Sequence, residues 1–216
     1  MKTLLLNKTI QFVKEKLDGA EAGHDWFHIE RVYKTALTIN AQEEGDELTV
    51  IMAALLHDIA DSKFHNGDEE LGPVIAGNFL KSLGLAPDFI LHVQNIIRNL
   101  SYKASLDQVT FQSKELDIVQ DADRLDAIGA IGIARAFTYG GYKNRLMYDP
   151  AQPPVKHIDK ESYKKSEAPT INHFYEKLLL LKDLMKTSTG KQMAAQRHQF
   201  MELYLEQFYG EWSGEK

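Results

Sequence analysis

The sequence predicts an all-α protein, and three observations predict it. Apolar residues recur at helical spacing along nearly the whole chain. No segment carries the alternation of a half-buried strand, and no internal repeat is present. Glycines at 19, 45, 140–141 and 190 fall where the apolar runs close.

The elements follow in order. Leu4, Ile10, Phe12, Val13 and Leu17 predict a first helix ending near Gly19. A second, from about Asp25 to Glu44, places Phe27, Val32, Ala36, Leu37 and Ile39 on one stripe and closes at Gly45. Residues 47–60 form a third, strongly apolar run, and 69–83 and 87–99 predict two more, with Pro73 in the first turn of the former. Helical spacing resumes from Ser113 to Tyr139 and stops at Gly140-Gly141. A C-terminal pair is expected within 169–210, at about 170–187 and 190–209, with TSTG as the turn and Gly190 as the break. The stretch 140–168 holds three of the six prolines and many lysines, and reads as a long basic loop before that pair. The expectation is one compact helical domain over 1–216, with a core at about 20–139.

The 216 residues allow about 70% of the unfolded surface to be buried, so folding needs no staple. A bound metal would serve chemistry rather than scaffolding. With no cysteine, disulfides and thiolate metal sites are excluded. The net charge of -6 argues against a nucleic-acid polymer as partner, while leaving room for a small phosphorylated substrate that needs only local cations. No run of about 18 apolar residues suggests a membrane span, and Leu4 to Leu6 is too short for a signal-peptide core, so a cytoplasmic protein is expected.

The segment AALLHDIAD, 53–61, poses a chemical problem. His57 and Asp58 directly follow a core-like run, and buried charges persist only when paired or metal-bound. GHDWFHIERV (23–32) supplies His24, Asp25 and His28, and IVQDADRLDAIGA (118–130) supplies Asp121, Asp123 and Asp126. Histidine and carboxylate without cysteine suit manganese, iron, cobalt, nickel, magnesium or zinc. His28, His57, Asp58 and Asp123, drawn from three helices, would together neutralise one divalent ion. Asp121 also suits an acceptor that orients a ligand or the N-terminal charge of a helix turn, and Asp126 suits holding a neighbouring side chain. Any one helical histidine is more often an ordinary core or surface residue; the ordered set gives the pattern its weight.

That order, His28 in HIERV, His57-Asp58 in LLHDIAD and Asp123 in DADRLDAIGA, resembles the H…HD…D pattern of the HD-domain superfamily of metal-dependent phosphohydrolases. The block TINHFYEKLLLLKDLMKTSTGKQMAAQRHQFMELYL (170–205) resembles a bacterial subfamily of small, stand-alone HD hydrolases. The resemblance implies a helical HD fold and hydrolysis of a phosphate ester or anhydride of a nucleotide or similar metabolite, with water activated by one divalent ion.

Around that centre, His24 and Arg31 share a helix face with His28 and would meet substrate. Asp61, three residues after Asp58, suits proton transfer or orientation of the attacking water, and Asp58 itself joins the catalytic set. Lys63, His92, Lys143 and Arg145 are further candidates for substrate contact, the last two on a cationic lid; each also fits a solvated surface position. Only His65 and His92 lie between the HD pair and Asp123, which disfavours a two-metal centre and a di-iron oxygenase. A non-catalytic nucleotide-sensing module is the other alternative. His173 stands within the subfamily block without an assigned role.

Overall fold

The computed structural model describes residues 2–19, 25–60, 68, 70–100, 111–155 and 167–216. All regular elements among them are helical: α1 (Lys2–Lys16), α2 (Trp26–Glu43), α3 (Glu47–Leu56), α4 (Leu71–Ser82), α5 (Pro87–Leu100), α6 (Lys114–Asp126), α7 (Gly129–Tyr142), α8 (Asn172–Glu176), a 3-10 helix (Leu178–Leu184) and α9 (Ser188–Ser213). Two compact units emerge, one of residues 1–123 with 186–189, the other of 124–185 with 190–216.

In the first unit α3 is the central element, packed against α1, α2 and α5. Every residue from Thr49 to Leu56 is buried, as a helix that is apolar on all faces requires. Its start is set by Asp46, whose carboxylate accepts the Thr49 N–H at 2.8 Å and the Thr49 hydroxyl at 2.6 Å. The helix before it, α2, begins at Asp25, which accepts the His28 N–H at 3.0 Å. Its end is equally local: Glu44 turns left-handed at φ 56°, and the Asn40 side chain accepts the Gly45 N–H at 2.9 Å. A Cβ at Gly45 would lie 2.8 Å from that same Asn40 oxygen, so glycine is needed for the close approach. The buried stripe of α2 runs through His28, Ile29, Val32, Ala36, Ile39 and Asn40. Phe27, expected in the core, lies off this stripe and is exposed, and Leu4 of α1 is exposed likewise.

Helix α6 carries a polar sequence, KELDIVQDADRLD, yet most of it is buried. Its polar groups must therefore find partners. Gln120 donates to the carbonyls of Asn99 and Leu100, both at 3.3 Å, which closes the end of α5. Within the second unit, Arg124 donates to the Leu184 carbonyl and Asp126 accepts from Arg135.

Three sequence expectations are corrected. The run 113–139 is two helices, because Gly129 takes φ +74° and restarts the chain as α7. A Cβ at Gly132 would meet the Ala127 carbonyl oxygen at 2.2 Å, so the corner itself demands glycine. Gly140-Gly141 does not end α7, which continues to Tyr142; Gly140 is small because the Thr170 side chain presses against it. The first member of the C-terminal pair is a five-residue α-helix followed by a 3-10 segment, and Gly190 lies in the first turn of α9 rather than at a break. The break falls at 185–187 because Met185 is extended (φ -69°, ψ 141°) and the N–H groups of Lys186 and Thr187 are claimed by Asp121.

In the second unit Leu146 and Met147 accept the N–H groups of Thr170 and Ile171 at 2.9 and 3.1 Å. Phe137, Phe174 and Tyr204 pack there, the last two stacked at 5.9 Å. Residues 156–166 of the predicted basic loop lie outside the described residues. No helix among the described residues is long and apolar enough to cross a membrane.

Candidate metal centre

The first unit brings His28, His57, Asp58 and Asp123 to one place. His28 sits in the first turn of α2, held there by the Asp25 cap. His57 and Asp58 follow the last residue of α3, directly after the buried run Thr49–Leu56. Donor atoms of His28, His57 and Asp58 all lie within 4.8 Å of one another. Asp123 approaches from α6, its Oδ1 3.5 Å from His28 Nε2 and 3.8 Å from His57 Nε2. The two imidazole rings meet edge to face, centroids 5.3 Å apart.

These separations suit a shared ion. Bonds of about 2.1 Å place neighbouring ligand atoms about 3 Å apart and opposite ones about 4.2 Å apart in an octahedron. The tautomer of His57 is a second test. Its Nδ1 lies 2.9 Å from the Ala54 carbonyl, which can only accept, so Nδ1 carries the proton. In the neutral ring Nε2 then offers a lone pair into the cluster, and among the described residues it is buried without a hydrogen-bond partner. A divalent cation would satisfy that nitrogen, and two carboxylates would balance its charge. The residues therefore fit the group.

The remaining candidates are placed as follows. Arg31 lies one turn after His28 on α2 and is half-buried. His92, on α5, contacts the Glu115 carboxylate at 3.3 Å and the edge of Phe111 at 5.6 Å. Glu115 is eight residues from Asp123 on α6, about 12 Å along its axis. His92 thus serves an anchor at the far end of that helix. Burial acts to raise the Glu115 pKa, but the Asp46 N–H and His92 outweigh it and hold the group below the ordinary carboxylate range. Lys143 and Arg145 belong to the second unit, where Lys143 lies 4.8 Å from the Tyr142 ring and Arg145 5.6 Å from Tyr139. His24, Asp61 and Lys63 lie outside the described residues.

Sequence reasoning left open what Asp121 does. It is fully buried and accepts from Lys186 N–H at 2.9 and 3.0 Å, Thr187 N–H at 2.7 Å and the Thr187 hydroxyl at 2.7 Å. It is indeed a charge at a helix start, that of α9 rather than of its own helix. Asp126 holds Arg135, as its spacing allowed. The Ala54 carbonyl that orients His57 was not foreseen, since a backbone acceptor leaves no mark on residue type.

An all-helical unit that gathers imidazoles and carboxylates from α2, the end of α3 and α6 defines a class: a helical protein with a cysteine-free candidate metal site. Comparison with known proteins makes the class specific. The family model of the HD domain matches residues 26–128, which contain all four side chains. The Bacillus subtilis protein YpgQ is 34% identical over 200 residues, covering 91% of this chain and 88% of YpgQ. Among solved structures, an HD-superfamily hydrolase from Bacillus thuringiensis is 46% identical, with TM-score 0.79 over 99% of both chains. A structure of Bacillus subtilis YpgQ in complex with ADP is 35% identical, with TM-score 0.76 over 98% of this chain and 97% of that one. The chain belongs to the HD superfamily, among its small bacterial hydrolases.

Proposed function

We propose that this protein is a metal-dependent phosphohydrolase acting on a nucleotide or a similar small phosphorylated metabolite. The observation that supports the reading is the buried His57 Nε2, grouped with donor atoms of His28 and Asp58 within 4.8 Å and lying 3.8 Å from the Asp123 carboxylate. His28, His57, Asp58 and Asp123 would hold one ion of manganese, cobalt, nickel, iron, magnesium or zinc. When bound, such an ion acidifies water and withdraws electron density from phosphorus. The ligand set leaves the loaded centre neutral, so phosphate charge needs cations from the chain. Arg31, on the helix of His28, is a described candidate, and His24 and Lys63 are further candidates from the sequence. Asp61, three residues beyond Asp58 in the sequence, is the candidate for taking the proton of the attacking water. The ADP bound in a YpgQ structure supports a nucleotide over other phosphate esters.

The test is direct. Purified protein is supplied with manganese or cobalt and offered nucleoside mono-, di- and triphosphates, with phosphate and pyrophosphate both measured. Turnover that requires the metal and disappears with a chelator is expected. Nucleotide binding without release of either product would replace the reading by a sensing module.

A further inference from the structure

We propose that Asp121 is a positioning residue for the metal centre, and that the segment Lys186–Thr189 is thereby a working part of it. This rests on the metal-site reading above. Lys186–Thr189 lies far outside the residues matched by the HD family model, yet it packs within the first unit.

The argument begins with helix geometry. Residues two apart on an α-helix point to nearly opposite sides, about 200° around the axis. The carboxylate of Asp123 faces His28 and His57 from one side of α6, and that of Asp121 meets Lys186 and Thr187 on the other. Asp123 makes its approach from a long lever. Side-chain ends stand about 5–6 Å from a helix axis, so a rotation of about 20° moves a carboxylate by about 2 Å. A ligand set must be held to within about 0.5 Å to work. Something has to fix the rotation of α6 at this turn.

Asp121 is built for that. Both its oxygens are engaged, at 2.7 to 3.0 Å, by two backbone N–H groups and one hydroxyl. Backbone donors at a helix start cannot rotate away as a side chain can, and hydrogen bonds to a charged acceptor are the strong ones. The same segment is staked a second time, two residues on. Thr189 donates through both N–H and hydroxyl to Glu43, at 2.8 Å each, at the end of α2. These bonds hold the Glu43 carboxyl below its ordinary pKa. Glu43 lies fifteen residues from His28, about 22 Å along α2, so this second stake secures the segment without bearing on a ligand.

The experiment compares full-length wild type with Asp121→Asn, Thr187→Val and Glu43→Gln. Two readouts are taken: thermal unfolding without metal, and titration with cobalt(II) followed by its visible absorption and dissociation constant. A lowered melting temperature is expected in all three. Cobalt affinity should fall about tenfold or more in Asp121→Asn and several-fold in Thr187→Val, with an altered spectrum, the range typical of residues that orient a metal ligand. Glu43→Gln should keep wild-type affinity and spectrum. Destabilised Asp121→Asn and Thr187→Val with unchanged cobalt binding would overturn the proposal while leaving the metal site standing. If Asp121→Asn fails to fold, Thr187→Val alone decides. A wild type that binds no cobalt would sink the metal reading, and this inference with it.

Discussion

The imidazole of His57 is oriented by the carbonyl of Ala54, three residues earlier, at 2.9 Å from Nδ1. In the neutral imidazole that bond leaves Nε2 with the lone pair, buried with no hydrogen-bond partner among the described residues. A buried polar atom left unsatisfied costs about 1–3 kcal/mol. The native fold holds this arrangement ready, and an ion that binds only the folded state relieves it. Manganese or cobalt should therefore raise the melting temperature of the wild type, and His57→Ala should lose that rise. A melting curve indifferent to metal in the wild type would count against the site.

Removing a carboxylate tests the same centre by charge. Asp58→Ala leaves two imidazoles and one carboxylate to hold a divalent ion. Metal-dependent phosphate release should fall by at least about 100-fold, beyond the usual effect of losing a residue that merely orients a ligand. Far-ultraviolet circular dichroism should stay that of the wild type, because Asp58 follows α3 rather than forming its core. Full activity in this variant would remove Asp58 from the catalytic set.

The pH dependence of stability should carry the mark of His173. Burial first, then the charges of Lys177 and Arg145, push its pKa from 6.5 down to about 3. Between these values the unfolded chain binds the proton and the folded one does not, so stability rises with pH across the window and is lost as pH falls from 6.5 towards 3. Urea denaturation at several pH values in that window should give a shallower slope for His173→Gln than for wild type. Equal slopes would refute the assignment.

Two glycines of α7 should respond oppositely to alanine. At Gly132 the new methyl would lie 2.2 Å from the Ala127 carbonyl oxygen, a backbone atom that cannot step aside. A loss of about 1–3 kcal/mol or more is expected. At Gly141 nothing lies within 4 Å of the position, and the residue is helical. Alanine there should stabilise by about 0.5–1 kcal/mol. Chemical denaturation of the two variants reads both signs.

What could be read in the sequence is what depends on near neighbours. Asp25 and Asp46 cap helices through N–H groups three residues on, and Gly45 closes α2 against Asn40, so those boundaries are written locally. The order His28, His57-Asp58, Asp123 was legible because ligand chemistry restricts residue type. Local pattern misled at 178–184, where LLLLKDL has helical spacing but forms a 3-10 segment, and at the Gly129 corner inside an apolar run.

By itself, then, the sequence determined a helical chain, the order of its early helices and the capped starts of α2 and α3, and which residue types were available to a metal. Tertiary structure alone decided that Asp121 meets Lys186 and Thr187, 65 and 66 residues away, and that His92 serves Glu115, 23 residues on. The reason is physical: most of these partners are backbone groups or distant side chains. Every residue but proline offers the same N–H and C=O, so only the folded geometry distinguishes one from another.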